Sequence, residues 1–356
     1  MENKLLYLTI DDIAFGGSGV GRSDGLAVFV PYTIPGEKVE AVVVRRKKKF
    51  AQAALVELES ASPDRVEAPC PYFTRCGGCA YQHIAYERQL EIKSAQVGQT
   101  LERIGKLASV PMRPMIPSPQ PYGYRNRIRV HASGGKVGFY APDGHHLVDI
   151  RECLLASPEV NRQLTALRRR PVPERDYTVA ERQNRFFDQT NDAVAELMAE
   201  RIGELLTPGG RLIDAYSGAG FFARRLGEPY EAVVGIEENL FAVERARSVA
   251  HPRETYLAGD VADHLPGLFS EGEPTPTSLI LDPPAIGVSR KVVETLLALP
   301  ETARPREIVY VSCDPATLAR DLALLAPVYA VEEVTPLDMF PQTAEIEVVT
   351  LLRPRP

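Results

Sequence analysis

Three cysteines within ten residues, Cys70, Cys76 and Cys79 of CPYFTRCGGC, stand in a chain of 356 residues that has five in all. The other two, Cys153 and Cys313, lie far along the sequence. An odd count argues against a disulfide framework. The opening MENKLLYLTI has neither the apolar core nor the cleavage site of a secretory leader. No apolar run approaches membrane-spanning length. The expected setting is soluble and cytoplasmic, where cysteines serve metals or catalysis rather than disulfides. The five-residue gap and then two-residue gap between the clustered cysteines suit zinc and an iron–sulfur cluster equally.

Cys313 is set apart by its own surroundings, EIVYVSCDPATLARDL. An apolar strand delivers it to the strand's C-terminal end, Asp314 can cap the helix that follows, and Pro315 suits the first helical position. A helix N-terminus favours thiolate over thiol, while Asp314 opposes it. The plainer alternative is a buried structural cysteine. Upstream, LIDAYSGAGFFARRL reads as strand, turn and helix, with Gly218 and Gly220 allowing a ligand close to the backbone. GAGFFA also satisfies the dinucleotide fingerprint with alanine in the last place, so a nicotinamide dehydrogenase competes here. Glu237 in VVGIEEN has the spacing of an acid that grips ribose hydroxyls, which fits either cofactor. Asp260 of LAGD and Asp282 of LDPP favour a class I methyltransferase, because Asp-Pro-Pro after a buried strand sits badly in a dehydrogenase.

These residues need elements to hold them. Residues 1–60 alternate as the short strands LLYLTI, LAVFVP, KVEAVVV and QAALVEL between turn clusters such as GGSGVGR, and predict a small closed barrel. Its basic run Arg45, Arg46, Lys47, Lys48, Lys49, with Phe50 beside it, suits phosphates and a stacked base. Residues 61–177 hold the cysteine cluster, a helical stretch, and a basic hairpin in which Arg125, Arg127 and Arg129 are expected on one strand face. From 178 to 356, strands RLIDAY, AVVGIE, TYLAGD, SLILDPP, EIVYVSC, VEEVTPLDMF and IEVVTLL alternate with helices, predicting an α/β doubly wound, Rossmann-like domain. Net charge divides unevenly: 0 over 1–60, +7 over 61–185 and −13 over 186–356. A basic middle beside an acidic half suggests that one part holds a polyanion while another does chemistry.

FFDQTN, DAYSGAG, GIEEN, DPP, SCDPATLARDL and DMFPQTAEIE, in that order, resemble the signature segments of the RNA uracil-5-methyltransferases. CPYFTRCGGC with Cys153 resembles that family's iron–sulfur ligands, and the first sixty residues resemble its TRAM barrel, an RNA-binding module of oligonucleotide-fold type. The resemblance implies S-adenosylmethionine as methyl donor, held by Gln189, Tyr216, Glu237 and Asp282, and a [4Fe–4S] cluster on Cys70, Cys76, Cys79 and Cys153. It implies Cys313 as nucleophile and Glu347 as base. The implied partner is RNA, with 23S rRNA first and tRNA second, and no obligate protein partner is evident. The chain departs from the family in Ala285, where arginine is common after DPP, and in Glu345, where histidine is common. Those departures leave a noncatalytic RNA-binding factor as the alternative from another class.

Overall fold

The computed structural model describes residues 4–169, 171–183, 186, 189–270 and 276–355. The chain divides into two compact units. Met1–Gln96, Pro119–Arg182 and Phe340–Glu345 form the first; Val97–Ser118, Gln183–Met339 and Ile346–Pro356 form the second.

The first unit opens with strands β1 (Leu5–Ile13), β2 (Ser18–Ser23), β3 (Leu26–Pro31), β4 (Lys38–Arg46) and β5 (Phe50–Ser60), closed into a barrel in the order β1-β2-β3-β5-β4. Alternation along the strands turns Leu6, Leu8, Ile10, Val28, Val30, Val39 and Val43 inward. Burying each such side chain contributes about 1.5–3 kcal/mol. Strand β2 lies in the GGSGVGR stretch that reads as a turn. Glycine is needed there for closeness rather than for turning: a Cβ on Gly19 would lie 2.0 Å from Thr33 Oγ1.

Helix α1 (Tyr86–Arg103) follows the cysteine-rich segment and begins in this unit. Strands β6 (Arg127–Ser133), β7 (Lys136–Tyr140), β8 (Leu147–Asp149) and β9 (Arg175–Ala180) make a four-stranded sheet in the order β8-β7-β6-β9. Helix α2 (Pro158–Arg168) starts with Ser157 accepting from Val160 N–H and Pro158 at the first turn. Its Val160 and Leu164 pack on Ile128, Val130, Val137 and Val179. Strand β9 runs across residue 177 and pairs with β6, so residues up to 180 complete this sheet.

The second unit runs α3 (Asp192–Leu205), β10 (Arg211–Ala215), α4 (Phe221–Leu226), β11 (Ala232–Glu237), α5 (Leu240–Ser248), β12 (Glu254–Ala258), α6 (Val261–Ser270) and β13 (Thr277–Leu281). It continues with α7 (Arg290–Ala298), β14 (Glu307–Ser312), α8 (Pro315–Leu325), β15 (Tyr329–Leu337) and β16 (Glu347–Pro354). The sheet order is β12-β11-β10-β13-β14-β16-β15, parallel except where β16 runs against its neighbours. Every residue of β13 and β14 is buried, as parallel strands covered on both faces require. Chain direction across the sheet reverses between β10 and β13, and such a switch point opens a crevice at the strands' C-terminal ends.

Candidate active site

The turn after β10 is shaped for close approach. Tyr216 holds a left-handed φ of 66°. For a non-glycine residue that costs about 1–3 kcal/mol, and such strain gathers at functional sites. Gly218 N–H donates to Glu237 Oε2 at 2.9 Å, and Asn239 N–H to Oε1 at 2.7 Å, fixing this carboxylate at the end of β11. Asp260, at the end of β12, is exposed and accepts from Ala262 N–H at 2.8 Å. Gln189 is nearly buried, two residues before Asn191, the cap of α3. Within FFDQTN, Phe187 and Asp188 lie outside the described residues.

Two carboxyls at this crevice are held far from their usual state. Burial pushes Asp282 up to about 7, and the nearby Asp214 raises it further. Burial likewise pushes Asp214 up to about 7; the Ala223 N–H at 2.9 Å lowers it and Glu237 raises it. Asp214 is fully buried, and its Oδ1 has no hydrogen-bond partner among the described residues. Nothing in the local sequence distinguishes Asp214 as a site residue; the fold brings it beside Asp282 and Glu237.

Cys313 follows the last residue of β14, and Asp314 caps α8 by accepting from Thr317 N–H at 2.7 Å. Ser312 pairs with Val348 across β14 and β16, so one step further Cys313 stands opposite Glu347. Glu347 is 5% exposed. Burial outweighs the helix N-terminus in setting the thiol's state. Although Cys313 reaches solvent, burial pushes its thiol up to about 12, with Glu347 and then Asp282 as the charges that add to it. The Asp282 loop is tied to α8. Buried Asp321 accepts from Tyr310 Oη at 2.7 Å and from Val288 N–H at 3.1 Å, while Arg320 Nη2 donates to Ile286 O at 2.8 Å. The fit is so close that a Cβ on Gly287 would meet Asp321 Oδ2 at 2.3 Å.

In the first unit, Cys70, Cys76, Cys79 and Cys153 are half-buried and lie near one another: Cys153 and Cys70 both add to the burial that pushes the Cys76 thiol up. Burial pushes Cys79 up to about 12, against the pull of Gln82, whose Nε2 donates to its Sγ at 3.1 Å. Asn161 brackets Cys153 by accepting from its N–H and donating to its O, each at 2.9 Å. Among the described residues no three His, Cys, Asp or Glu side chains form a group that could hold a single metal ion.

The three arginines of the basic hairpin do not share one role. Strand β6 begins at Arg127, leaving Arg125 outside it. Arg125 lies over the rings of Tyr124 and Phe340 and pairs with Glu345 at 3.5 Å. Arg129 is exposed and pairs with Asp176 at 2.6 Å. On the barrel, Arg45 through Lys49 are all exposed, and Lys47 Nζ lies 5.5 Å from the Phe50 ring centre.

Residues 275–355 match the tRNA (Uracil-5-)-methyltransferase family, and residues 1–56 match the TRAM domain. An uncharacterized RNA methyltransferase of Bdellovibrio bacteriovorus is 33% identical, covering 98% of this chain and 95% of that protein. One from Halalkalibacterium halodurans is 31% identical, over 99% and 97%. The crystal structure of Pyrococcus abyssi tRNA (uracil-54, C5)-methyltransferase in complex with S-adenosyl-L-homocysteine matches 98% of this chain and 100% of that one, at 25% identity and a TM-score of 0.72. The chain belongs to the TRAM-containing RNA uracil-5-methyltransferases, which are S-adenosylmethionine-dependent enzymes.

Proposed function

We propose that this enzyme methylates carbon 5 of a uridine through a covalent adduct with Cys313, and that Glu347 resolves the adduct. The carrying observation is Cys313 opposite Glu347 at the C-terminal edge of the sheet, beside Asp282. Glu237, oriented by two backbone N–H groups, suits ribose hydroxyls; Asp282, Tyr216 and Gln189 would complete the donor pocket, with Gly218, Gly220 and Asp260 shaping its loops. The donor supplies its methyl group as an electrophilic sulfonium substituent.

Carbon 5 of uracil is too weak a nucleophile to take that group unaided. The Cys313 thiol, which reaches solvent, first loses its proton to water; its sulfur then bonds to carbon 6, and the displaced π pair becomes an enolate. Carbon 5 attacks the methyl carbon and the carbon–sulfur bond of the donor breaks. Glu347 removes the carbon-5 proton, the ring double bond re-forms and the sulfur–carbon-6 bond breaks, freeing Cys313. A stacked uridine must first be flipped out at a cost of a few kcal/mol. The exposed basic run of the barrel supports a phosphate-binding role that helps offset that cost.

Cys70, Cys76, Cys79 and Cys153 fit a [4Fe–4S] cluster as a quartet of neighbouring, half-buried thiols with an amide donor on one sulfur. A multi-iron cluster spaces its thiolates more widely than one tetrahedral ion does. The methylation steps need no electron transfer, so the cluster's part is structural.

For substrate, we take large-subunit rRNA first, on the resemblance carried by the barrel together with the cysteine quartet. The second reading is tRNA, favoured by the Pyrococcus abyssi enzyme, whose structure is matched along nearly the whole chain. The barrel therefore does not separate the two. Mapping 5-methyluridine in rRNA and tRNA from cells with and without the gene decides between them. Loss of 5-methyluridine from rRNA is the expected result; loss from tRNA moves the enzyme to the second reading, and no loss from either refutes the proposal.

A further inference from the structure

Phe340–Glu345 belongs to the first unit, and only Ile346 separates its last residue from Glu347. Three successive carbonyls of this loop are held by residues of that same unit. Lys93 Nζ donates to Phe340 O at 3.0 Å, Tyr124 Oη to Pro341 O at 3.0 Å, and the N–H groups of Ala80 and Tyr81 both donate to Gln342 O at 3.0 Å. Gln342 is 3% exposed and sits at a left-handed φ of 68°, a conformation that a glutamine keeps only when its surroundings impose it. What imposes it is a reciprocal amide pair. Gln89 Nε2 donates to Gln342 Oε1 at 3.0 Å, and Gln342 N–H donates to Gln89 Oε1 at 3.2 Å. Gln89 is itself fully buried, and its Nε2 also reaches Ile84 O at 2.8 Å.

From this geometry we infer that Gln89 is a positioning residue for the general base. It locks the Phe340–Glu345 loop, whose continuation carries Glu347. The inference rests on the reading of Glu347 as the base. Ala80 and Tyr81 directly follow Cys79, so the cysteine-rich segment and α1 both bond to the same loop. This assigns the segment a task in resolving the adduct, separate from any contact with RNA. A base displaced by even about 1 Å can lose on the order of a hundredfold in rate. Addition of Cys313 and methyl transfer precede the base's step, so misplacement should slow release and spare capture.

The test compares Gln89→Leu and the milder Tyr124→Phe with wild type and with Glu347→Gln, all as full-length protein. Each is mixed with RNA containing the target uridine and methyl-labelled donor, then run on a denaturing gel. Gln89→Leu is expected to lower kcat about tenfold or more with the donor KM unchanged, and to accumulate a methylated protein–RNA adduct. Tyr124→Phe is expected to show the same pattern more weakly, and it keeps the test open should Gln89→Leu fail to fold. A role confined to stability would lower the folded fraction without building up adduct. Absence of adduct in Glu347→Gln would overturn the reading of the base itself. Adduct in Glu347→Gln but wild-type turnover in Tyr124→Phe and in folded Gln89→Leu would overturn the positioning role alone.

Discussion

Cys313, the residue after β14, stands opposite Glu347, the first residue of the antiparallel β16, one residue beyond the Ser312–Val348 pair at the C-terminal edge of the methyltransferase sheet. The carboxylate adds to burial in holding the thiol protonated, so the pair is arranged for a sequence of events rather than for a resting thiolate.

Reactivity of Cys313 should therefore rise with pH far into the alkaline range. With its thiol pushed up to about 12, little thiolate exists at neutral pH in the ligand-free protein. Alkylation followed site by site by mass spectrometry should accelerate steadily from pH 7 to 10 without levelling. A plateau below pH 8.5 would contradict this environment. In Glu347→Gln one of the raising charges is gone, and alkylation at a given pH should be faster.

Glu237→Ala should weaken binding of S-adenosylhomocysteine by about 1–3 kcal/mol, the range for hydrogen bonds to a charged group. The two backbone N–H groups of Gly218 and Asn239 hold the Glu237 carboxylate in place, so the substitution removes an already oriented acceptor. RNA affinity should be nearly unchanged. Wild-type affinity for the nucleoside in a calorimetric titration would place the donor elsewhere.

Asp214 makes stability depend on pH. Its folded-state carboxyl titrates near 7 instead of near 3.8, because of burial and then Glu237. Between those values the folded protein holds a proton that the unfolded chain has released, so this group's contribution to stability falls as pH rises from about 4 to about 7. Asp214→Asn removes that loss. Relative to wild type, its melting temperature should be higher at pH 8 than at pH 5, and a constant difference across that range would refute the assignment.

Protein purified without oxygen should be brown and carry iron and sulfide, and Cys79→Ser or Cys153→Ser should abolish both. Stoichiometric zinc with no iron would refute the cluster.

Much of this was legible in the sequence because the chemistry sits at the ends of apolar strands. EIVYVS and SLIL are buried throughout, so the residues that follow them had to emerge at one edge of the sheet. Strand β2 was hidden because glycine serves both for turning and for close packing, and only the Gly19–Thr33 approach tells them apart. Arg125 was misassigned because alternation holds only inside a strand and β6 starts two residues later. For the state of Cys313 the local sequence shows only part of the surroundings. The helix it precedes is local and visible, whereas Glu347 and Asp282 come near it only through sheet pairing. The same is true of Asp321 and Gln89, which sit in ordinary helical sequence and gain their roles from loops more than thirty residues away along the chain.

The covalent scheme is most directly tested by trapping the enzyme on RNA in which the target uridine is replaced by 5-fluorouridine. Fluorine cannot leave as a proton does, so wild type with S-adenosylmethionine should form a methylated adduct that survives denaturing electrophoresis and maps to Cys313 in a peptide digest. Cys313→Ala should bind RNA and donor yet give neither adduct nor methylation. Methylation of ordinary RNA by Cys313→Ala at a rate near wild type, or an adduct at any other residue, would contradict the account.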